Sequence, residues 1–144
     1  MSTRSEPPIK TPWHIWVVGG LTLLWNGSGA VTILLGQAGW LPGLSADEAA
    51  YYAAQPWWFV ILTDIASLAP VAAGVALFFR SRLAVWLFAV SLFFIIVNNL
   101  YDLTAGTSRT LVNQGALIVT ITIVVIAVHQ VVYALVMEKR GVLA

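Results

Sequence analysis

The chain has no cysteine and very little charge, and each of these deficits excludes a class of protein. Without cysteine there are no disulfides, thiolate metal sites or cysteine nucleophiles. Only 9% of the 144 residues are charged, whereas a soluble globular domain carries about 25% charged residues. No basic cluster interleaved with aromatic residues points to nucleic acid. With 60% hydrophobic residues and a mean hydropathy of +0.89, the chain is predicted to use the lipid bilayer as its solvent.

Four long apolar runs take up most of the length. They cover residues 13–35, 57–79, 83–102 and 111–137, and each is long enough to cross the hydrocarbon core as one helix. The predicted fold class is therefore all-α, a four-helix transmembrane bundle that forms a single domain over residues 13–137. The polar segments 1–12 and 138–144 are predicted to be cytoplasmic tails, the first of them disordered.

The second and third runs are joined by the short basic hinge Phe79-Arg80-Ser81-Arg82. A hinge of this length allows only a tight turn, so these two runs are predicted to be antiparallel neighbours. Pro70 lies inside the second run and frees backbone carbonyls, which neighbouring helices must satisfy because the bilayer core offers no water. Small residues around Pro70 favour close helix packing on this side.

The longest connection, residues 37–56, contains a capping-box pattern. Ser45 is followed three residues later by Glu48, so each side chain can bond the other residue's backbone amide. We predict a short amphipathic helix over about 46–54, ended by Pro56, on the extracytoplasmic surface of the membrane.

The basic residues predict the orientation of the chain. Four spans place both termini and the hinge on one side, which then holds six of the seven basic residues: Arg4, Lys10, Arg80, Arg82, Lys139 and Arg140. Only Arg109 falls on the opposite side. Cytoplasmic loops carry the excess of Lys and Arg, so both termini are predicted to be cytoplasmic.

Most polar residues within the runs fall in the outer half of the membrane, and Asp64 is the most informative of them. It lies seven residues after Trp57, about 10 Å below the outer surface by helix rise. A carboxylate at that depth needs a partner, water or a proton. Asn98 and Asp102 share one helix face near the outer end of the third run, and Asn26 lies near mid-membrane. These four residues are the candidate ligand-binding set.

Three interpretations of this set remain open. In one, the polar groups line an outward-open pocket for a small polar ligand or a proton. In another, they hold the helices together by hydrogen bonds across the interfaces. In the third, they form a contact with another subunit. Asp102 also has an interfacial alternative, in which it pairs with Arg109.

No catalytic constellation or cofactor site is predicted. His14 and His129 invite a bis-imidazole haem interpretation, but they are not clearly at one depth. A local hydrogen-bond cluster of His129 with Gln130 and Tyr133 is the favoured alternative. We therefore expect no enzyme activity, no metal and no cofactor.

Several short motifs resemble those of a group of small bacterial four-helix integral membrane proteins. The resemblance runs over residues 13–101 and is carried by Leu23-Leu24-Trp25-Asn26-Gly27 in the first run, Tyr52…Pro56-Trp57-Trp58 before the second, Gly74…Arg80 at its end, and Trp86-Leu87-Phe88…Ser91-Leu92 in the third. It implies the four-helix membrane fold and the bacterial inner membrane as location. Some members of the group carry a sugar-transporter label.

Two classes of function follow from these observations. The first is an accessory or structural membrane component without catalysis, whose partners are the lipid bilayer and either further copies of the chain or another membrane protein. The second is a small-solute binding or transport protein with an outward-facing polar pocket around Asp64. The environment of Asp64 discriminates between them.

Overall fold

A computed structural model of the protein describes residues 11–105 and 114–144, and these residues form five helices and no strand. The helices are α1 (His14–Gln37), α2 (Ala46–Ala53), α3 (Trp57–Phe78), α4 (Leu83–Thr104) and α5 (Gln114–Lys139). All except α2 are long and apolar enough to cross a membrane. The predicted all-α fold with four spans and a short helix after the first is confirmed. The predicted disordered tail lies almost wholly outside the described residues.

The four long helices pack in the order α1–α3–α4–α5. The α3–α4 pair forms the most extensive contact, as expected for antiparallel neighbours joined by a short hinge. Helix α1 covers the other side of α3, and α5 covers the other side of α4. Helices α1 and α5 have little contact with each other along most of their length. The bundle is therefore open on the side between α1 and α5.

Glycine and alanine bring α1 and α3 close together. Gly74 of α3 faces Leu23 and Thr22, and Gly19 of α1 faces the ring of Phe78. Both glycines are buried. Small residues in bilayer helices let the backbones approach, and this contact sets the antiparallel register of α1 on α3.

The α3–α4 interface repairs the backbone defect made by Pro70. Proline has no N–H, so the carbonyl of Ala66, four residues earlier, lacks its helical donor. The hydroxyl of Ser91 on α4 donates to that carbonyl over 2.7 Å, in a fully buried position. This confirms the expectation that a neighbouring helix satisfies the carbonyl freed by Pro70.

The short helix α2 begins at the predicted capping box. The Ser45 hydroxyl accepts from the Glu48 amide over 3.3 Å, and the Glu48 carboxylate accepts from the Ser45 amide over 2.9 Å. Tyr52 of α2 lies against Gly36 near the end of α1, where any larger residue would collide with its ring. This contact fixes α2 to the end of the bundle opposite the hinge.

The segment after α5 folds back onto the bundle and is not a free tail, unlike the predicted tail over 138–144. Val142 and Leu143 are almost completely buried in the main hydrophobic cluster. Ala144 donates its amide to the Arg80 carbonyl over 2.7 Å and accepts from the Arg82 amide over 3.1 Å. The C-terminal residues thus close the end of the bundle where the hinge lies, because their apolar side chains fill the space between α1, α3 and α5.

Replacement of Gly74 by valine should destabilise the bundle. A Cβ at this position would lie 2.8 Å from Leu23 Cδ2 and 3.2 Å from Thr22 Cγ2, so either the Leu23 side chain must shift or α1 must move away from α3. We expect a loss of about 1–3 kcal/mol in the free energy of unfolding in detergent. Gly20→Val is the matched control, since nothing lies within 4 Å of its Cβ. Equal losses in both variants would contradict the close α1–α3 contact.

Truncation of Leu143 should also cost stability, although this residue lies in a segment predicted to be a tail. Leu143 is 1% exposed, and Leu143→Ala removes its contacts and leaves a cavity. We expect a loss of about 2–4 kcal/mol, measured by unfolding in mixed micelles. The control is Leu100→Ala on the lipid-facing side of α4, where the side chain is 60% exposed. If Leu143→Ala behaves like this control, the segment does not seal the bundle.

Candidate functional site

The four predicted ligand-binding residues do not share one hydrogen-bonded site in the structure. Asn98 donates its amide to the Thr63 hydroxyl over 3.1 Å and so joins α4 to α3. Asn26 donates to the Thr22 carbonyl of its own helix over 2.9 Å. The Asp102 carboxylate accepts from the Tyr51 hydroxyl at 3.2 and 3.4 Å, which ties α2 to α4. These contacts match the interpretation of interhelical hydrogen bonding for Asn98 and Asp102, but not for Asn26.

Asp64 remains different from the other three residues. Its side chain is half-buried, and its Oδ1 is inaccessible and has no hydrogen-bond partner among the described residues. The Asn98 Oδ1 is in the same condition. The register set by Gly74 and Phe78 places Asp64 on the side of α3 that faces α1. Ligand binding at Asp64 stays a prediction, and the pairing of Asp102 with Arg109 lies outside the described residues.

Two further unpaired polar atoms of the described residues occur near the end of the bundle opposite the hinge. Gln37 Nε2 and Gln55 Oε1 are buried and have no partner within the described part of the chain. Gln37 ends α1, and Gln55 lies just before α3. Unpaired buried polar atoms are rare and costly, so a protein with several of them at one end retains hydrogen-bonding capacity there.

A second candidate site lies between α1 and α5, where the open side of the bundle forms a groove. The groove has a volume of about 750 Å³. Its walls are mostly apolar and come from α1 and α5 alone: Val18, Leu21, Thr22, Leu24, Trp25, Ser28, Val125, Ile126, His129, Gln130 and Tyr133. The groove exists because both helices pack on the central α3–α4 pair and not on each other.

A hydrogen bond closes the groove at the end nearest the hinge. The His14 Nδ1 of α1 lies 2.7 Å from the Tyr133 hydroxyl of α5, and the two rings meet edge to face. The half of α5 that lies further from the hinge is largely exposed. The groove is therefore bridged at its end near the hinge by this hydrogen bond.

Two polar side chains of the groove are buried and still have no hydrogen-bond partner among the described residues. Thr22 is 4% exposed and Gln130 is 9% exposed, and they come from opposite walls. Other threonines of these helices, such as Thr32 and Thr122, donate to the carbonyl four residues earlier. Thr22 forms no such bond with a described residue. Its hydroxyl and the Gln130 amide are available to an occupant of the groove.

His129 offers one more polar atom. Its Nδ1 lies 2.8 Å from the Val125 carbonyl, which can only accept, so Nδ1 carries the proton. In the neutral imidazole, Nε2 is then an acceptor. The predicted cluster of His129 with Gln130 and Tyr133 is wrong in its partners, because Tyr133 bonds to His14 and His129 to its own backbone.

The described residues contain no group of three or more His, Cys, Asp and Glu side chains able to hold a metal ion. His14 and His129 each have a separate partner, and nothing in the described chain brings them together on one ligand. The groove walls carry no Asp, Glu, Lys or Arg. The arrangement can bind an uncharged, largely apolar molecule.

Sequence reasoning missed this groove, although a signal for it exists. Thr22 and Ser28 on α1 and His129, Gln130 and Tyr133 on α5 are polar residues within the two flanking runs, and all five line the groove. The pattern could not show that α1 and α5 face each other without packing, because the order of four helices in a bundle is not written in their periodicity.

Comparison with known proteins adds no family to these observations: no family model, no curated protein and no solved structure matches the chain.

Proposed function

We propose that this protein is a non-catalytic accessory component of the bacterial inner membrane, which acts by holding a bilayer component in the groove between α1 and α5. One observation carries the proposal: the two flanking helices leave about 750 Å³ of mostly apolar space between them. Helix packing in membranes depends on close van der Waals contact, so a gap of this size forgoes stabilisation unless something fills it.

The lack of charge on the groove walls supports a ligand drawn from the bilayer. Ligand pockets have volumes of about 300–1,000 Å³ and are mostly apolar with a few polar groups, and the groove fits this description. Its open side faces the hydrocarbon region, where exposed apolar side chains of both helices lie. An occupant therefore enters laterally from lipid and does not need an aqueous path.

The proposed orientation places both termini in the cytoplasm. The basic residues that the structure describes, Arg80, Arg82, Lys139 and Arg140, lie at one end of the bundle, with Arg82 3.9 Å from Glu138. An excess of basic residues at one end supports a cytoplasmic position for that end. The closed end of the groove is then the cytoplasmic end.

Filling the groove should abolish retention of its occupant. The protein is extracted from native membranes into nanodiscs and analysed by native mass spectrometry. We expect the wild type to carry an additional mass that Val125→Trp loses, because the indole occupies the groove beside Val125. Ile118→Trp is the matched control on the same helix, since Ile118 is 65% exposed and lies outside the groove. A wild type without any bound mass, or equal retention in both variants, overturns the proposal.

A second candidate function is binding of a proton or a small polar solute at Asp64. The observation that favours it is the buried Oδ1 without a partner in the described chain, at a depth where an isolated carboxylate is costly. A carboxyl that takes up a proton or a cationic solute relieves this cost, whereas a carboxyl used only for helix packing would show hydrogen-bond partners.

The Asp64 site can be tested with a small organic cation as the probe. We expect the wild type in nanodiscs to bind radiolabelled methylammonium, and Asp64→Asn to lose this binding while remaining folded. Asp47→Asn is the control, because Asp47 is exposed in the first turn of α2. A wild type that binds no cation contradicts this candidate, and if Asp64→Asn loses folded protein to the same extent as it loses binding, Asp64 acts in helix packing.

A further inference from the structure

We infer that the groove is a binding site for an amphiphile with a long hydrocarbon chain and a small, uncharged, hydrogen-bonding head group. The inference rests on the proposed function, because it names the chemical class of the bilayer component that the groove holds. The head is a hydroxyl or a carbonyl group, and the chain leaves the groove through its open side.

The polar pair Thr22 and Gln130 supplies the recognition of the head group. Both side chains are more than nine-tenths buried, both line the groove, and neither has a hydrogen-bond partner among the described residues. Neither is among the inaccessible unpaired atoms of the described residues, so their polar groups are reached from the groove and can pair with an occupant. Each of the two groups both donates and accepts, which suits a hydroxyl or a carbonyl equally.

The positions of the two groups along the membrane normal set the size of the head. Using the His14–Tyr133 contact as the common level, Thr22 lies about 12 Å above it and Gln130 about 4.5 Å above it by helix rise. The pair therefore spans about 7–8 Å along the groove. A head of one ring or a short polar chain bridges this span, or a single group bonds to one member while a water bonds to the other.

Charge excludes the common lipid head groups. The groove walls contain no Lys or Arg to pair with a phosphate, and no Asp or Glu to pair with an ammonium. Gln130 lies nine residues before Lys139, about 13 Å from that end of α5 by helix rise. A charged head group bound to Gln130 would therefore lie in the hydrocarbon layer and not at the membrane–water interface. Placing an unpaired charge at that depth is costly. An uncharged head bears no such penalty.

The dimensions of the groove suit a hydrocarbon chain. The wall from Val18 to Ser28 is about 15 Å long by helix rise. The groove volume of about 750 Å³ leaves room for such a chain beside Trp25.

The test uses the full-length protein in nanodiscs and a photoreactive, alkyne-tagged hexadecanol as probe. Labelled peptides are mapped by mass spectrometry, and labelling is competed with unlabelled hexadecanol, an unlabelled alkylquinone and hexadecanesulfonate. We expect labelling on the groove segments of α1 and α5. Competition by the alcohol, the quinone or both identifies the head as hydroxyl or carbonyl, and the sulfonate should compete at least tenfold more weakly.

Two nearly isosteric variants test the polar pair. Thr22→Val and Gln130→Met remove the hydrogen-bonding groups but keep the shape of the walls. Each should raise the probe concentration that gives half-maximal labelling about fivefold. Thr32→Val and Thr122→Val are matched controls on the same two helices outside the groove and should not change it. Size-exclusion elution and helical circular dichroism report whether each variant is folded.

The outcomes separate this inference from the proposed function. If no probe labels the groove segments, the groove does not bind a bilayer amphiphile and both fail. If the sulfonate competes as well as the alcohol, or if both polar-pair variants label like the wild type, the head-group inference is overturned. In that case retention of a bilayer component in the groove still stands.

Discussion

The structure depends on one constraint, that each backbone carbonyl within the hydrocarbon layer must find a donor inside the protein. Pro70 creates a carbonyl without its helical donor at Ala66, and the buried Ser91 hydroxyl supplies the missing hydrogen bond from α4. This bond lies at the centre of the most extensive helix pair. It fixes α3 against α4 in one register, and the remaining helices are placed relative to this pair.

The central pair explains the open shape of the bundle. Small residues let α1 approach one side of α3, while α5 packs on α4. Helices α1 and α5 pack on different members of this pair, and His14 and Tyr133 bridge them at the end near the hinge. At the same end, the buried Val142 and Leu143 close the bundle. The groove is thus a direct consequence of the order in which the helices pack.

The polar side chains within the membrane fall into two groups according to their partners. Asn98 and Asp102 hold helices together, because their hydrogen bonds join different elements. Asp64 retains a buried oxygen without a partner, and the buried Thr22 and Gln130 form no side-chain hydrogen bond with the described residues. Hydrogen bonds between bilayer helices add about 1 kcal/mol each. A chain that leaves such groups unpaired gives up stability at these positions, which is typical of binding sites.

The sequence by itself determined the fold class, the four spans, the capping box of α2 and the need for a donor to the carbonyl freed by Pro70. These depend on segment length, apolar content and local hydrogen-bond chemistry, all of which act within a few residues. Only the tertiary structure decided that Ser91 is that donor, that residues 142–143 are buried, and that α1 and α5 enclose a groove lined by Thr22 and Gln130. The physical reason is that helices in lipid are apolar on every side, so periodicity does not show which face meets which neighbour.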